Sequence, residues 1–310
     1  MTALTPLAPP ATTLGAAGHV AVRALVAGPP AAATPLAATR AGVILAVPGH
    51  RPVSVVSCDA VRLPGALVLA SPSTRLRLAE LGPGTPAQVG RGFVRLGDLR
   101  VQPTRWWSTH AVRAARHAET VRAAIATLER TLDARRGDAH WASDALRTVS
   151  RPFREAMIAA VGTWVGAPGR RAAASAADDA VSAAIGLLGL GPGLTPSGDD
   201  LVAATLVTVA RLAPDAAPLA AHIGVQVASA ALTRTTGVSA ALLTWAGAGE
   251  ACPELVSLLD AIARGGDLAP GLRALLAVGH TSGRDLARGV VVGATAVHAL
   301  LACPPTRASA

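Results

Sequence analysis

The residues best suited to chemistry lie in a glycine-rich segment, residues 189–200, which we call the GPG loop. Its sequence is Gly-Leu-Gly-Pro-Gly-Leu-Thr-Pro-Ser-Gly-Asp-Asp, and it links two predicted helices. Glycines at alternate positions allow positive φ angles and a close approach of backbone to a ligand. The free N–H groups at the start of the second helix can hold an anion. We therefore predict that substrate contacts come from Gly191, Gly193, Thr195, Ser197 and Gly198.

The same loop ends in two adjacent carboxylates, Asp199 and Asp200. Two ionised carboxylates would repel a bare phosphate. Three interpretations remain open: a cation offsets them, they bind an NH₂ group of a substrate, or they act as first-turn helix charges. Ser197 is predicted to be the N-cap of the helix, with Asp200 completing a capping box. We assign Asp199 and Asp200 to catalysis.

A second segment, residues 279–285, has the same order of glycine, hydroxyls, glycine and acid, and we call it the His loop. Histidine side chains can change charge near neutral pH, so His280 suits the role of acid, base or hydrogen-bond donor. We predict that His280 and Asp285 are catalytic. Substrate-binding residues expected here are Thr281, Ser282 and Arg284. Taken alone, the segment also fits a helix cap with a structural histidine.

A third segment, residues 233–239, we call the Thr loop; its sequence is Thr-Arg-Thr-Thr-Gly-Val-Ser. Hydroxyls beside a guanidinium suit recognition of phosphate or carboxylate. We predict that Arg234, Thr235, Thr236 and Ser239 bind substrate, although the segment alone also fits an ordinary turn. The chain has no H-E-x-x-H pattern, G-x-S-x-G elbow, Walker loop or Rossmann fingerprint.

The elements that must position these loops fall into two groups. From residue 41 to 107, short apolar runs such as 43–47, 53–57, 66–69 and 93–96 end at glycine or proline, which predicts strands in an antiparallel arrangement. From residue 108 to 310 the period becomes helical and predicts a bundle of about eight helices. Residues 1–40 show weak periodicity and are expected to be poorly structured or only partly ordered. The fold class is α+β: a small β-rich N-terminal domain followed by a mostly α-helical C-terminal bundle.

Composition limits the function classes. The 310 residues carry a net charge of +9, and residues 1–110 hold 10 arginines against 3 acids. The arginines are scattered and aromatic residues are scarce, so a nucleic-acid role is disfavoured. Three cysteines without C-x-x-C spacing predict free thiols in a reducing cytoplasm. The longest uncharged apolar stretch, Gly289 to Cys303, spans 15 residues, fewer than the roughly 20 that a membrane helix needs. We therefore expect a cytoplasmic protein without membrane contact.

The GPG loop followed by Gly-His-Thr-Ser-Gly-x-Asp at 279–285 resembles a bacterial family that includes the AllH-type subunit of oxamate carbamoyltransferase. The resemblance is strong over roughly residues 185–295, where the Thr loop also fits, and weak in the first 110 residues. It implies a cytoplasmic enzyme of allantoin and purine catabolism that interconverts carbamoyl phosphate plus oxamate with oxalurate plus phosphate. It also implies a hetero-oligomer with two other kinds of subunit and a small anionic substrate.

Carbamoyl transfer requires a held phosphate, a polarised carbonyl and a positioned amide nitrogen. On the resemblance, Arg234, Arg284 and loop N–H groups would hold the phosphate. His280 would donate to the carbamoyl oxygen, and Asp199 or Asp200 would orient or deprotonate the NH₂ group. No cofactor is implied with certainty; Mg²⁺ is possible, and no metal-ligand set is assigned.

Two other interpretations stay open. The chain lacks an obvious nucleophile and has a basic N-terminal third, which fits a non-catalytic scaffold or ligand-binding subunit of a multi-subunit enzyme. Alternatively, Asp199, Asp200, Asp285 and His280 would serve a metal-assisted amidohydrolase. The sequence does not identify the acceptor substrate, the stoichiometry, or whether one chain holds the whole site.

Overall fold

The computed structural model describes residues 12–134, 143–166 and 170–303. The chain divides into two compact units, residues 1–109 and 110–310. The first unit is a barrel over residues 12–107, and the second is mostly helical. This agrees with the predicted α+β class and with the order of its two parts.

Eight strands build the barrel: β1 Thr12–His19, β2 Ala31–Ala38, β3 Gly42–Ala46, β4 Val53–Val56, β5 Ala66–Leu69, β6 Ala87–Gly90, β7 Phe93–Leu96 and β8 Leu99–Trp107. A short helix, α1 (Arg23–Ala27), lies between β1 and β2. The strand order is β1-β5-β4-β3-β2-β6-β7-β8, and β8 pairs with β1 to close the ring. The apolar runs predicted as strands form β3, β4, β5 and β7, and their side chains fill the barrel core.

The structure differs from the sequence prediction in residues 12–38, where the expected weak structure is replaced by β1, α1 and β2. Alanine and glycine dominate β1, so the strand shows no apolar period; its ladders with β5 and β8 hold it in place. β2 contains Pro35, which lacks an N–H group, and its register with β3 shifts between Pro35 and Ala37. Residues 1–11 lie outside the described residues.

The barrel is mixed rather than wholly antiparallel. Among the described strands, β1 pairs in parallel with β8, and β4 pairs in parallel with β5. The first pair joins the two ends of the barrel sequence, which no local pattern reveals. The second is linked by a connection over residues 57–65 that contains no helix.

Asp59 links this connection to Ser73 by hydrogen bonds. Its carboxylate accepts hydrogen bonds from the Ser73 N–H (2.8 Å) and the Ser73 hydroxyl (2.8 Å). Hydrogen bonds from Ser57 and then Ser73 lower the pKa of Asp59 to about 2. Because the folded pKa is depressed, this stabilisation is present above the unfolded pKa and is lost as pH falls through about 2.

We therefore expect Asp59→Asn to lower the free energy of unfolding at pH 7 and to have a shrinking effect as pH falls from about 4 to 2. Urea titrations over this pH range check the prediction. Asp98→Asn, at an exposed aspartate of the same unit, is the control. An Asp59→Asn effect that is equal at pH 7 and pH 2 would contradict the linkage.

The helical unit contains ten helices in its described residues, against about eight predicted. They are α2 Ala118–Ala134, α3 Ser143–Val149, α4 Arg151–Val165, α5 Arg170–Ile185, α6 Ser197–Leu212, α7 Ala217–Arg234, α8 Gly237–Ala246, α9 Pro253–Arg264, α10 Ala269–Leu276 and α11 Ser282–Ala302. α6 is buried along almost its whole length.

α6 and α11 pack unusually closely. A Cβ atom on Gly289 would lie 2.3 Å from the Leu201 carbonyl oxygen, and one on Gly293 would lie 2.9 Å from the Thr205 carbonyl oxygen. The Thr205 hydroxyl donates to the Gly289 carbonyl across this contact (3.1 Å). Small residues thus let the two backbones approach. The GPG loop leads into α6 and the His loop into α11, so this contact brings both loops to one place.

Two helical stretches, Pro214–Arg234 and Ser282–Ala302, are long and apolar enough to cross a membrane by length and composition. Their mean hydropathies are 1.3 and 1.4. The core helix of a soluble protein passes the same test, and α11 packs against α6 as described above. The cytoplasmic location stays a prediction.

The three cysteines are free thiols, as predicted. Cys58 and Cys303 are exposed, whereas Cys252 is buried. Burial raises the pKa of the Cys252 thiol to about 12, so this side chain stays neutral at physiological pH.

Candidate functional site

The GPG loop has the backbone that its glycines predicted. Gly189, Gly191 and Gly193 all have positive φ angles, of 76°, 113° and 97°. A Cβ atom on Gly189 would lie 2.4 Å from the carbonyl oxygen of Arg234, which belongs to the Thr loop. Gly189 therefore allows the GPG loop to pack closely against the Thr loop, in addition to its role in the turn.

The start of α6 differs from the predicted capping box. The helix begins at Ser197, Pro196 occupies the N-cap position, and no side chain caps it. The N–H groups of Asp199 and Asp200 donate to the Pro196 carbonyl at 2.9 and 3.2 Å. Proline at this position leaves the Ser197 hydroxyl and both carboxylates free to bond with other segments.

Gly198 is explained by packing. Its N–H group donates to the Leu190 carbonyl (2.9 Å), and a Cβ atom here would lie 2.0 Å from the Leu187 carbonyl oxygen. The first turn of α6 therefore packs directly against the backbone that follows α5. The predicted role of Gly198 in substrate binding is not needed to account for this residue.

Asp199 joins the GPG loop to the Thr loop. One carboxylate oxygen accepts a hydrogen bond from the Gly189 N–H at 2.9 Å, and the other accepts one from the Thr235 hydroxyl. The side chain is buried, with 2% of the residue exposed. Both oxygens of Asp199 therefore hold the two loops together, and its predicted catalytic role stays a prediction.

Asp200 is the carboxylate with unused bonding capacity. The residue is 5% exposed, and its Oδ2 atom is buried with no hydrogen-bond partner among the described residues. Burial raises its pKa well above the ordinary value, and the nearby charges of Asp285 and Asp199 raise it further. Hydrogen bonds from Ser282 and Thr195 oppose this rise.

Asp285 is the third buried carboxylate, also 5% exposed. It is hydrogen-bonded by the Ser197 hydroxyl, which connects the first turn of α11 to that of α6. Burial raises the pKa of Asp285, whereas that hydrogen bond and the charges of Arg288 and Arg284 lower it. The serine that was predicted to cap its own helix therefore binds an acid on another one.

Hydrogen bonds join all three loops. The Thr195 and Ser282 hydroxyls are 2.7 Å apart, which links the GPG loop to the His loop. Thr236 is the N-cap of α8: its hydroxyl accepts from the Ser239 N–H (3.1 Å) and donates to the Leu194 carbonyl of the GPG loop. The buried Ser239 hydroxyl has no partner among the described residues. We call this hydrogen-bonded group the three-loop cluster; its members are Gly189, Leu194, Thr195, Ser197, Asp199, Asp200, Thr235, Thr236, Ser239, Ser282 and Asp285.

Several predicted site residues lie at the edge of this cluster. His280 and Arg234 are exposed, and His280 makes no hydrogen bond or ion pair with the described residues. Arg284 is half-buried, and so is Thr281, the N-cap residue of α11, whose side chain makes no capping bond. Gly191 packs against Ser197, and a Cβ atom on Gly193 would meet nothing within 4 Å.

The sequence reasoning missed Arg288, whose charge acts on Asp285. The signal was present: Arg288 follows Asp285 by three residues on α11, a spacing that places both on the same helix face.

Metal ligands are not clustered in the part of the chain that the structure describes: no group of three or more His, Cys, Asp or Glu side chains there is arranged to hold a metal ion. Mg²⁺ commonly binds through one or two carboxylates together with substrate phosphates. Asp200 is the member of the cluster with a carboxylate oxygen free for such a role. The possible use of Mg²⁺ stays a prediction.

Comparison with known proteins supports the resemblance found in the motifs. A protein-family model described as oxamate carbamoyltransferase subunit AllH matches residues 187–294, about a third of the 310-residue chain. This segment contains all three loops. No curated protein and no solved structure matches the chain. The predicted resemblance is thus confirmed over residues 187–294, which match the family of the oxamate carbamoyltransferase subunit AllH.

Proposed function

We propose that this chain is a subunit of a multi-subunit carbamoyltransferase of the oxamate carbamoyltransferase type, and that the three-loop cluster forms its part of the substrate site. The observation that carries the proposal is the joining of three loops by side-chain hydrogen bonds inside the segment that matches the AllH family. A loop used only for connection does not require buried acids and hydroxyls that bond across three helix starts.

The reaction would transfer a carbamoyl group between phosphate and the amide nitrogen of an acceptor such as oxamate. In the forward direction the C–N bond forms, the C–O bond to phosphate breaks, and the amide nitrogen loses one proton. Asp200 is the best-supported acid–base group because its Oδ2 atom has no partner and burial raises its pKa well above the ordinary value. Asp199 holds the GPG loop and Thr loop in place.

The anionic group of the substrate would be held at the rim. Arg234 precedes the threonines of the Thr loop, and Arg284 lies in the first turn of α11 beside Asp285. Both guanidiniums suit phosphate or carboxylate. His280 is exposed, so it would donate to the carbamoyl oxygen only of a substrate bound at this surface. Other subunits would cover that surface in the assembled enzyme.

A non-catalytic, ligand-binding subunit is the second candidate. The observation that favours it is the engagement of both Asp199 oxygens, together with the surface position of His280 away from any described partner. On this alternative the cluster would stabilise the docking face of a catalytic partner.

The two candidates are separated by turnover in the reconstituted complex, measured as carbamoyl phosphate formed from oxalurate and phosphate. If the chain is catalytic, we expect His280→Ala to lower kcat by roughly 10²–10³, the usual cost of removing a hydrogen-bond donor to the reacting oxygen. Subunit assembly, measured by light scattering on the same variant, separates a loss of turnover from a loss of association.

The matched control is His50→Ala, at an exposed histidine of the barrel unit, for which we expect wild-type turnover. Wild-type kcat in His280→Ala, with Asp200→Asn equally active, would favour the ligand-binding candidate. A complex that assembles but forms no carbamoyl phosphate would contradict the proposed reaction.

A further inference from the structure

A cavity of about 220 Å³ lies in the helical unit, beside the three-loop cluster but lined by other residues. Its walls come from α2, α3, α4, α6 and α11. The volume corresponds to about seven molecules of liquid water, which suits a small ligand. Leu201 and Val291 give it an apolar side.

Positive charge dominates the lining. The charged residues are Arg147, Arg151, Arg154, Arg288, Glu129 and Asp133, so four cations face two acids. Arg151 forms an exposed ion pair with Glu155 (2.8 Å), so part of its charge is already compensated. The charge of Asp285 likewise acts on Arg288, so the case for an anion rests on Arg154 rather than on the net charge of the lining.

Arg154 is the cation with bonding capacity to offer. It is half-buried, and its guanidinium forms no ion pair or hydrogen bond with the described residues. A guanidinium with five N–H donors at the wall of a partly enclosed cavity is suited to bind an oxyanion. Arg288 lines the same cavity; burial lowers its pKa, and the charge of Asp285, the next largest influence, raises it.

We propose that this cavity is a binding site for a small oxyanion carrying a phosphate or carboxylate group, with Arg154 as its principal contact and Arg147 and Arg288 beside it. The site uses none of the residues predicted from the motifs. It adjoins the three-loop cluster because Leu201 directly follows Asp200 on α6, and Arg288 follows Asp285 by three residues on α11. The inference does not depend on the carbamoyltransferase reaction.

The test is calorimetric titration of the full chain with inorganic phosphate and with oxalate at low ionic strength. We expect saturable binding of at least one of these anions. Arg154→Ala should weaken it roughly tenfold or more, the usual loss when a charge-assisted hydrogen bond is removed. Glu129→Gln should strengthen binding by about two- to fivefold because it removes an exposed repelling charge from the lining.

Arg273→Ala is the matched control, since it removes one exposed arginine on α10 that does not line this cavity. It should leave the affinity unchanged. Arg284→Ala separates this cavity from the rim of the three-loop cluster. Binding that is lost in Arg284→Ala but retained in Arg154→Ala, or absent from the correctly folded chain, would overturn the proposal.

Discussion

Replacing Gly198 by alanine is expected to destabilise the helical unit by about 3 kcal/mol, the upper end of the usual cost of overpacking. The added Cβ atom would lie 2.0 Å from the Leu187 carbonyl oxygen. The carbonyl belongs to the backbone and the position of a Cβ atom is fixed by the backbone, so no side-chain rotation relieves the clash. The Gly198 N–H bond to the Leu190 carbonyl would have to break as the helix start moves away. Urea unfolding followed by circular dichroism measures the loss.

Gly162→Ala is the matched control for this substitution. Gly162 is an exposed helical glycine of α4, and a Cβ atom there would meet nothing within 4 Å. Alanine favours helix over glycine by up to about 1 kcal/mol, so this variant should be more stable than wild type. A Gly198→Ala protein within about 0.5 kcal/mol of wild type would contradict the packing described for the start of α6.

Asp200→Asn is expected to remove the pH dependence that one buried carboxyl imposes on stability. Its folded pKa is raised, so the stability it contributes is fully present below the unfolded pKa near 4 and is lost as pH rises through the folded pKa. Asparagine has no proton to lose. The free energy of unfolding of the variant, relative to wild type, should therefore rise with pH above about 4 by up to roughly 1.4 kcal/mol per pH unit.

Urea titrations at intervals between pH 4 and 8 measure this difference. Because the charge of Asp285 acts on Asp200, this difference reports Asp200 together with its coupling to Asp285. Asp215→Asn, at an exposed aspartate before α7, is the matched control. If the difference in free energy of unfolding between Asp200→Asn and wild type does not change from pH 4 to 8, the prediction fails, because ionising Asp200 would then not destabilise the folded protein.

The parts of the fold that follow from local pattern were predictable. Apolar runs ended by glycine or proline located β3, β4, β5 and β7, and the helical period from residue 108 onward identified the helical unit. β1 and β2 were missed because their alanine and glycine residues are too small to produce a recognisable alternation of apolar and polar side chains. Their strand conformation comes from ladders to partners elsewhere in the chain, such as the pairing of Thr12 to His19 with β8.

The site was predictable at the level of the loops but not of the bonds. Proline, glycine and hydroxyl order identified all three segments. Ser197 was assigned to a cap on its own helix, whereas it hydrogen-bonds Asp285 on α11. The local sequence cannot distinguish a helix-capping serine from one that bonds to a distant segment, because a serine hydroxyl can form either hydrogen bond. For the same reason Asp199 and Asp200 looked equivalent, although only Asp200 keeps an oxygen without a partner.

The closed ring of strands over residues 12–107 has a consequence for assembly. Each of the eight strands has a neighbour on both sides, so a partner subunit has no open edge to which it could add a strand of its own. Recognition of the barrel must then run through side chains, and residues 1–110 contain 10 arginines. An association carried by exposed arginines weakens as salt is added. Docking through the barrel should accordingly be sensitive to ionic strength and indifferent to peptides that mimic a β-strand.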